Sequence, residues 1–366
     1  MLIGIDSSRA ARAERTGTEA YSLHLIRALL VAAPQHRFRL YADRPLPHEL
    51  DAPNAEPRVM PCTRLWTHAR LSAEMLTHPP DVLLVPAHVV PLIHPRTVVA
   101  VHDLGYLYFP LAHPISARLY LDLSTRWSVR AAARVIADSQ ATKDDLVRRY
   151  RTSPDKISVV YPGRDESLRR VNDPAAIEAV KRRYGIPGDY LLYLGTLQPR
   201  KNITRLVQAF KSQISLKSAN LQLVVAGGKG WLYNDIYAKV KQLELEGQVL
   251  FPGRVAEEDK AALISGAVAL LLPSLYEGFG LPVVEAMQCG TPVICSNTSS
   301  QPEVAGEAAL LVDPTNIGEL AQAMWRLLDD ANLRQTLVER GYTQAQKFSW
   351  AACAANALSV IESVKQ

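Results

Sequence analysis

The sequence predicts an α/β protein made of two doubly wound parallel sheets, and three observations carry that expectation. Short apolar runs alternate with helix-patterned stretches, as in a parallel sheet covered by helices on both faces. The alternation restarts after a break near residues 165–188. The chain is 366 residues long and 48% hydrophobic, enough to bury two cores of common domain size.

The first half offers strand-like runs at Leu2–Asp6, Phe38–Tyr41, Val82–Pro86, Val98–His102, Val135–Ala137 and Ile157–Val160. The second repeats them at Tyr190–Leu194, Leu221–Ala226, Val249–Phe251, Val268–Leu272, Val293–Cys295 and Ala309–Val312. Runs such as Val268–Leu272 are continuous rather than alternating, as strands buried on both faces are. Between the halves lie Gly163, Pro174, Gly185, Pro187 and a charged amphipathic segment that reads as a short joining helix. Ala137–Leu146 reads as a helix start with Ser139 or Gln140 near the cap. The last stretch, Phe348-Ser349-Trp350 followed by Ala351–Val364, is alanine-rich and amphipathic. The expected partition is a first domain at 1–165, a linker at 166–188, a second domain at 189–345 and a terminal helix at 346–366.

The formal net charge is +5, and residues 1–164 hold 21 of the 41 Lys and Arg against 15 of the 36 Asp and Glu, so the basic excess is in the first half. Much of it lies between His113 and Arg134, where Arg118, Arg126, Arg130 and Arg134 recur at near-helical spacing around Leu119, Leu123 and Trp127. Such a face either meets anionic lipid or a phosphorylated acceptor, or is a solvated arginine stripe on a helix whose other side is core. The modest charge and an aromatic content of 7% argue against a nucleic-acid partner. The start of the chain has no signal-peptide pattern, and no stretch approaches the ~20 apolar residues of a membrane span. Cys62, Cys289, Cys295 and Cys353 have neither zinc-ligand spacing nor a disulfide framework. The expectation is a cytoplasmic protein, at most peripheral at the inner face of a membrane.

The densest chemistry lies between Tyr276 and Met287. A buried strand precedes it, Pro282 suits the first helical position, and Gly290 closes the helix. Gly278-Phe279-Gly280 then sets bare N–H groups between a strand's carboxyl end and a helix's amino end, where fixed dipoles favour phosphate, with Glu285 in the first helical turn. Upstream, Tyr190–Leu194 runs into Gly195 and then Arg200-Lys201, with a helix beginning around Asn202. A guanidinium fork beside a lysine point charge supplies what a diphosphate needs. Leu221–Ala226 leads into Gly227-Gly228-Lys229-Gly230-Trp231, which is not a GxGxxG fingerprint, and no acid ends the next strand, so nicotinamide binding is not expected. There is no Asp-x-Asp metal motif, so phosphate charge is expected to be met by Arg200, Lys201 and helix amides rather than a metal ion. Val98–Val101 ends in the polar pair His102-Asp103.

Taken together, these motifs resemble the retaining GT-B glycosyltransferases of family 4, the glycosyltransferases group 1, and among them bacterial mannosyl- and glucosyltransferases. The likeness rests on two glutamates with seven residues between them, around Gly-Phe-Gly-Leu-Pro, the Gly195 to Asn202 segment, the Gly227 to Trp231 turn, His102-Asp103 and the loop Arg15–Tyr21. It implies two Rossmann-like domains facing a central cleft, with the C-terminal helix crossing back to the first. It also implies transfer of a hexosyl group, mannose or glucose, from GDP-mannose or UDP-glucose to an acceptor hydroxyl in glycan, polysaccharide or glycolipid synthesis, with no cofactor beyond the nucleotide-sugar donor. By the same resemblance Glu277 contacts donor-sugar hydroxyls, and Gly278, Phe279, Gly280 and Leu281 meet the phosphate side. Glu285 meets the ribose, Arg200 and Lys201 hold the pyrophosphate beside Gly195, and Gly228 and Arg254 border the nucleotide. His102 orients a sugar hydroxyl, with Asp103 fixing its tautomer.

The chain departs from that pattern in places. Its first loop has one glycine, Gly17, where the family commonly has two, and Glu19 where a neutral residue is frequent; Gly17 still permits close approach of the donor phosphate, and Glu19 suits acceptor hydroxyls. Gly228 replaces a proline. Ser139 is either a helix cap or a border of the site, and Glu303 is a helix-start acid. No carboxylate presents itself for double displacement, which fits the front-face route that the family resemblance implies, in which the leaving phosphate takes the acceptor's proton. Two rivals share the architecture: a sugar-nucleotide epimerase, which would lack the glutamate pair, and a catalytically silent nucleotide-sugar-binding subunit, which would have lost Arg200, Lys201 or Glu277.

Overall fold

A computed structural model describes residues 1–13, 17–62, 64–87, 89–110, 114–214 and 221–364. The chain divides into two compact units, Met1–Gly163 with the chain from Phe348 onward, and Arg164–Lys347.

The first unit carries strands β1 (Leu2–Asp6), β2 (Arg37–Ala42), β3 (Ala55–Val59), β4 (Val82–Val85), β5 (Thr97–Val101), β6 (Arg134–Ala137) and β7 (Ile157–Val159). They form one parallel sheet in the order β3-β2-β1-β4-β5-β6-β7. The second unit holds β8 (Tyr190–Leu194), β9 (Gln222–Ala226), β10 (Val249–Gly253), β11 (Ala269–Leu272), β12 (Val293–Ser296) and β13 (Ala309–Val312), parallel in the order β10-β9-β8-β11-β12-β13. The chain direction across each sheet reverses once, between β1 and β4 in the first and between β8 and β11 in the second. At such a reversal the flanking connections leave toward opposite faces, opening a crevice at the strands' carboxyl ends.

Every apolar run in the sequence becomes a strand, and the central ones, β4, β5, β9, β11 and β12, are buried along their whole length. The strand that the pattern does not reveal is β3. It lies at the edge, contains Pro57 and exposes most of its side chains, so neither an apolar run nor alternation marks it. The helix foreseen between the halves is Pro174–Arg183, capped by Asp173; it belongs to the second unit, where Arg183 grips both oxygens of Asp259 at 2.7 Å.

The terminal helix Trp350–Ser363 completes the first unit's core, where Cys353, Ala354, Ala357 and Ile361 join Leu25, Ile26 and Leu29 of the helix Gly17–Ala32. Its small residues allow that close packing, and Gly163 is held to glycine because a Cβ there would stand 2.3 Å from the Trp350 nitrogen. The basic helix spans Ile115–Ala131, so Arg134 opens β6 instead of extending the arginine series, and His113 lies outside the described residues. Its buried positions are Ser124, Thr125, Ser128 and Val129, while Leu119, Leu123 and Trp127 are exposed. These three large apolar side chains are therefore on the outer face, while Val129 joins the core.

Candidate active site

The second unit's reversal point gathers most of the residues singled out in the sequence. β8 ends at Gly195, and the chain then makes a short turn at Pro199–Lys201 before the helix Ile203–Ile214. Asn202, in the left-handed region at φ 61°, redirects the backbone, and its amide donates to the carbonyl oxygens of Pro273 at 3.0 Å and Pro314 at 2.6 Å. This buried amide ties the end of β8 to the loop after β11. The Leu275 amide donates to the Arg200 carbonyl at 2.9 Å and closes the junction.

Across it, Arg200 Nη1 donates to the Tyr276 carbonyl at 2.7 Å and to Glu277 Oε2 at 3.1 Å, while Lys201 Nζ donates to Glu277 Oε1 at 2.5 Å. Burial alone would raise the Glu277 carboxyl, but the charges of Lys201 and Arg200 outweigh it and bring its pKa down from 4.5 to about 2. Two half-buried cations thus converge on one buried carboxylate. The loop is fixed from behind by Ser299, whose hydroxyl accepts from the Glu277 amide, and by Ser300, which donates to the carbonyls of Glu277 and Phe279. Neither serine stands out in the sequence, since hydroxyls in a loop carry no pattern.

Gly280, at φ 106°, caps the helix Leu281–Gln288, and Gly290 follows its end at φ 68°. Pro282 is the second helical residue rather than the first, and Glu285 is the fifth, beyond the first turn. Glu285 is instead paired with Lys260 at 2.7 Å; burial opposes the Lys260 charge, but Glu285 overcomes it and raises the pKa. Lys260 was not legible as a site residue because it lies on another helix, Glu257–Ser265, in an ordinary charged stretch. The glycines at the ends of β8, β9 and β10 stack, with the Gly227 amide donating to the Gly253 carbonyl at 2.7 Å. Gly227 has no room for a side chain: a Cβ would lie 1.9 Å from the Gly195 carbonyl oxygen. Gly228 stands beside Arg254, whose side chain would lie 3.4 Å from an added Cβ.

His102 and Gly17 belong to the first unit. β5 and β6 run in register with Val101 opposite Ala137, so the next residues, His102 and Asp138, emerge side by side. His102 Nδ1 meets Asp138 Oδ2 at 2.7 Å and Nε2 meets the Pro86 carbonyl at 2.8 Å. A carbonyl has no proton to give, so Nε2 donates, and a carboxylate facing Nδ1 favours a proton there as well, so the arrangement stabilises the charged ring. Burial opposes that charge, yet Asp138 prevails and raises the His102 pKa. The expected orienting residue is corrected here: Asp138 holds the imidazole, whereas Asp103 accepts from the Gly105 amide in a local turn. Ser139 is the cap of the helix Gln140–Tyr150, accepting from the Thr142 amide at 3.0 Å. Gly17 opens its helix with open space where a Cβ would be, and Glu19 pairs with Arg9 at 3.3 Å; Arg15 and Thr16 lie outside the described residues.

The chain is similar along its length to known proteins. Residues 177–344 match the family described as glycosyl transferases group 1, and residues 15–168 match glycosyltransferase family 4. The chain is 30% identical over 366 aligned positions to O-antigen chain mannosyltransferase B of Escherichia coli, covering 92% of this chain and 93% of that one. Among solved structures, sucrose-phosphate synthase from Thermosynechococcus elongatus superposes with a TM-score of 0.77 at 22% identity, covering 99% of this chain and 98% of that one. HepE of Anabaena in complex with UDP and glucose superposes with a TM-score of 0.76 at 20% identity, covering 99% of both. The two-sheet architecture is thus that of GT-B proteins.

Proposed function

Because the chain belongs to the group 1, family 4 glycosyltransferases, we propose that it transfers a hexosyl group from a nucleoside-diphosphate sugar to an acceptor hydroxyl, with retention, in the synthesis of a bacterial glycan. The observation that carries this reading is the pair of half-buried cations, Arg200 and Lys201, clasping the buried Glu277 at the carboxyl ends of β8 and β11. A diphosphate is met there by a guanidinium fork beside a lysine point charge, and the first amides of the helix Leu281–Gln288 add oriented donors. As the sugar–phosphate bond breaks, Arg200 and Lys201 stabilise the charge that develops on the leaving nucleotide, without a metal ion. Glu277, held ionised, accepts from sugar hydroxyls, and the departing phosphate takes the acceptor's proton.

Mannose from GDP-mannose is the first choice of donor, on the strength of the mannosyltransferase relative that spans nearly the whole chain; glucose from UDP-glucose is the second, supported by the UDP and glucose bound by HepE. The intact Arg200, Lys201 and Glu277 speak against a silent subunit. Incubation with each donor and a panel of hexoside acceptors, followed by proton NMR of the product, tests the proposal. The expected product has the donor's anomeric configuration and forms equally in EDTA. An inverted anomer, or activity abolished by EDTA and restored by Mg²⁺, would overturn the retaining or metal-independent part, and no transfer from any donor would overturn the whole.

A further inference from the structure

The helix Ile115–Ala131 is inverted with respect to the usual pattern. Toward the core it presents hydroxyls: Ser128 accepts from the Val90 amide at 2.9 Å, and Thr125 accepts from the Tyr106 hydroxyl at 2.9 Å. Toward solvent it presents Ile115, Leu119, Leu123 and Trp127, which are 77%, 56%, 56% and 39% exposed. These four recur every fourth residue and so form one stripe along the helix. Arg126 and Arg130 lie on the same outer face, and from them the surface runs into a cavity of about 610 Å³ whose charged lining is Arg126, Arg130, Arg149, Arg151 and Lys156. No carboxylate lines it, although Asp122 pairs with Arg126 at 2.9 Å. The cavity lies where the helices Ile115–Ala131 and Gln140–Tyr150 end and β6 begins, at the amino ends of the strands and away from His102. Cations near helix carboxyl ends offset the helix dipoles, but that does not account for a row of large apolar side chains in water on the adjoining face.

We propose that this face seats the protein on an anionic phospholipid surface, with the helix lying in the interface, its apolar stripe among the acyl chains and the cationic cavity on headgroup phosphates. A helix of 17 residues is about 25 Å long and need not span the bilayer to do this. Among the described residues no helix is long and apolar enough to cross a membrane. A second copy of the chain is a poorer occupant, because symmetric pairing would bring two copies of the same cationic surface into one interface. The inference goes beyond the proposed transferase reaction and does not depend on it.

Co-sedimentation of the full chain with phosphatidylcholine vesicles, with and without phosphatidylglycerol, tests the proposal. Binding is expected only to the anionic vesicles and should weaken with salt. Arg130→Gln and Arg149→Gln should each weaken it about five-fold, and Leu119→Ser with Leu123→Ser at least about ten-fold, with melting temperature and nucleotide binding unchanged in all. Three results would overturn the proposal: no binding, equal binding to both vesicles, or binding indifferent to these substitutions. A dimer seen by sedimentation velocity without lipid, and dissolved by the leucine substitutions, would assign the face to a second copy and overturn it as well.

Discussion

Replacing Glu277 by glutamine isolates the charge from the shape of the site. The side chain stays isosteric, but Arg200 and Lys201, both half-buried, lose the charge of the carboxylate they share. The fall of the Glu277 pKa from 4.5 to about 2 corresponds to about 3 kcal/mol of stabilisation at neutral pH. For a unit of this size that loss lowers Tm by roughly 6–12 °C. Because the pKa is depressed in the folded state, the contribution is present above pH 4.5 and disappears as pH falls toward 2. The gap in Tm between wild type and Glu277→Gln should therefore be full at pH 7 and close progressively below pH 4.5. A nucleoside diphosphate supplies the missing negative charge, so its stabilising effect should be retained or larger in the variant, while sugar transfer falls. Scanning calorimetry across pH, with and without UDP and GDP, reads all of this. A variant as stable as wild type at pH 7, or a gap constant down to pH 3, would refute the assignment of the ion triad as the source of the shift.

Other consequences can be checked separately. Gly227→Ala forces a Cβ against the Gly195 carbonyl at a backbone angle of φ 147° and should cost at least about 3 kcal/mol, seen as a large fall in Tm; a wild-type Tm would show that the stacked glycine ends are not tight. His102 should titrate above 6.5 by NMR, and because its folded pKa is raised, its pair with Asp138 stabilises below pH 6.5 and is lost as pH rises through the folded value. In Asp138→Asn that alkaline loss should disappear, and a His102 pKa below 6.5 in wild type would contradict the imidazolium. Gly163→Ala should loosen the terminal helix from the first unit, detectable as faster amide exchange in residues 350–363, and unchanged exchange would count against that close contact.

Much of this was legible because continuous apolar runs mark strands and the glycine-rich segments that follow them mark ligand-binding ends. Gly278–Leu281, Arg200 and Lys201 could be picked out because they sit within a few residues of such runs. What the sequence hid depends on neighbours distant in the chain. His102 faces Asp138 only because β5 pairs with β6 in one register, and Glu285 meets Lys260 only through the packing of two helices. Asp103, adjacent in sequence, was the natural but mistaken partner, since consecutive residues leave a strand toward opposite faces. The helix Ile115–Ala131 turns its large apolar residues outward for a related reason. Its periodicity is real, but the core that it meets offers Tyr106 and the Val90 amide, polar groups that hydroxyls satisfy better than leucine does.

The claim at the centre is that Arg200 and Lys201 form a diphosphate site. Isothermal titration of UDP, GDP and ADP into the wild type and into Lys201→Ala tests it most directly. One nucleotide should bind the wild type and lose roughly ten- to a hundred-fold in affinity in the variant, as expected for one charge-assisted contact. Equal affinity in both proteins, or no binding of any of the three to the wild type, would contradict it.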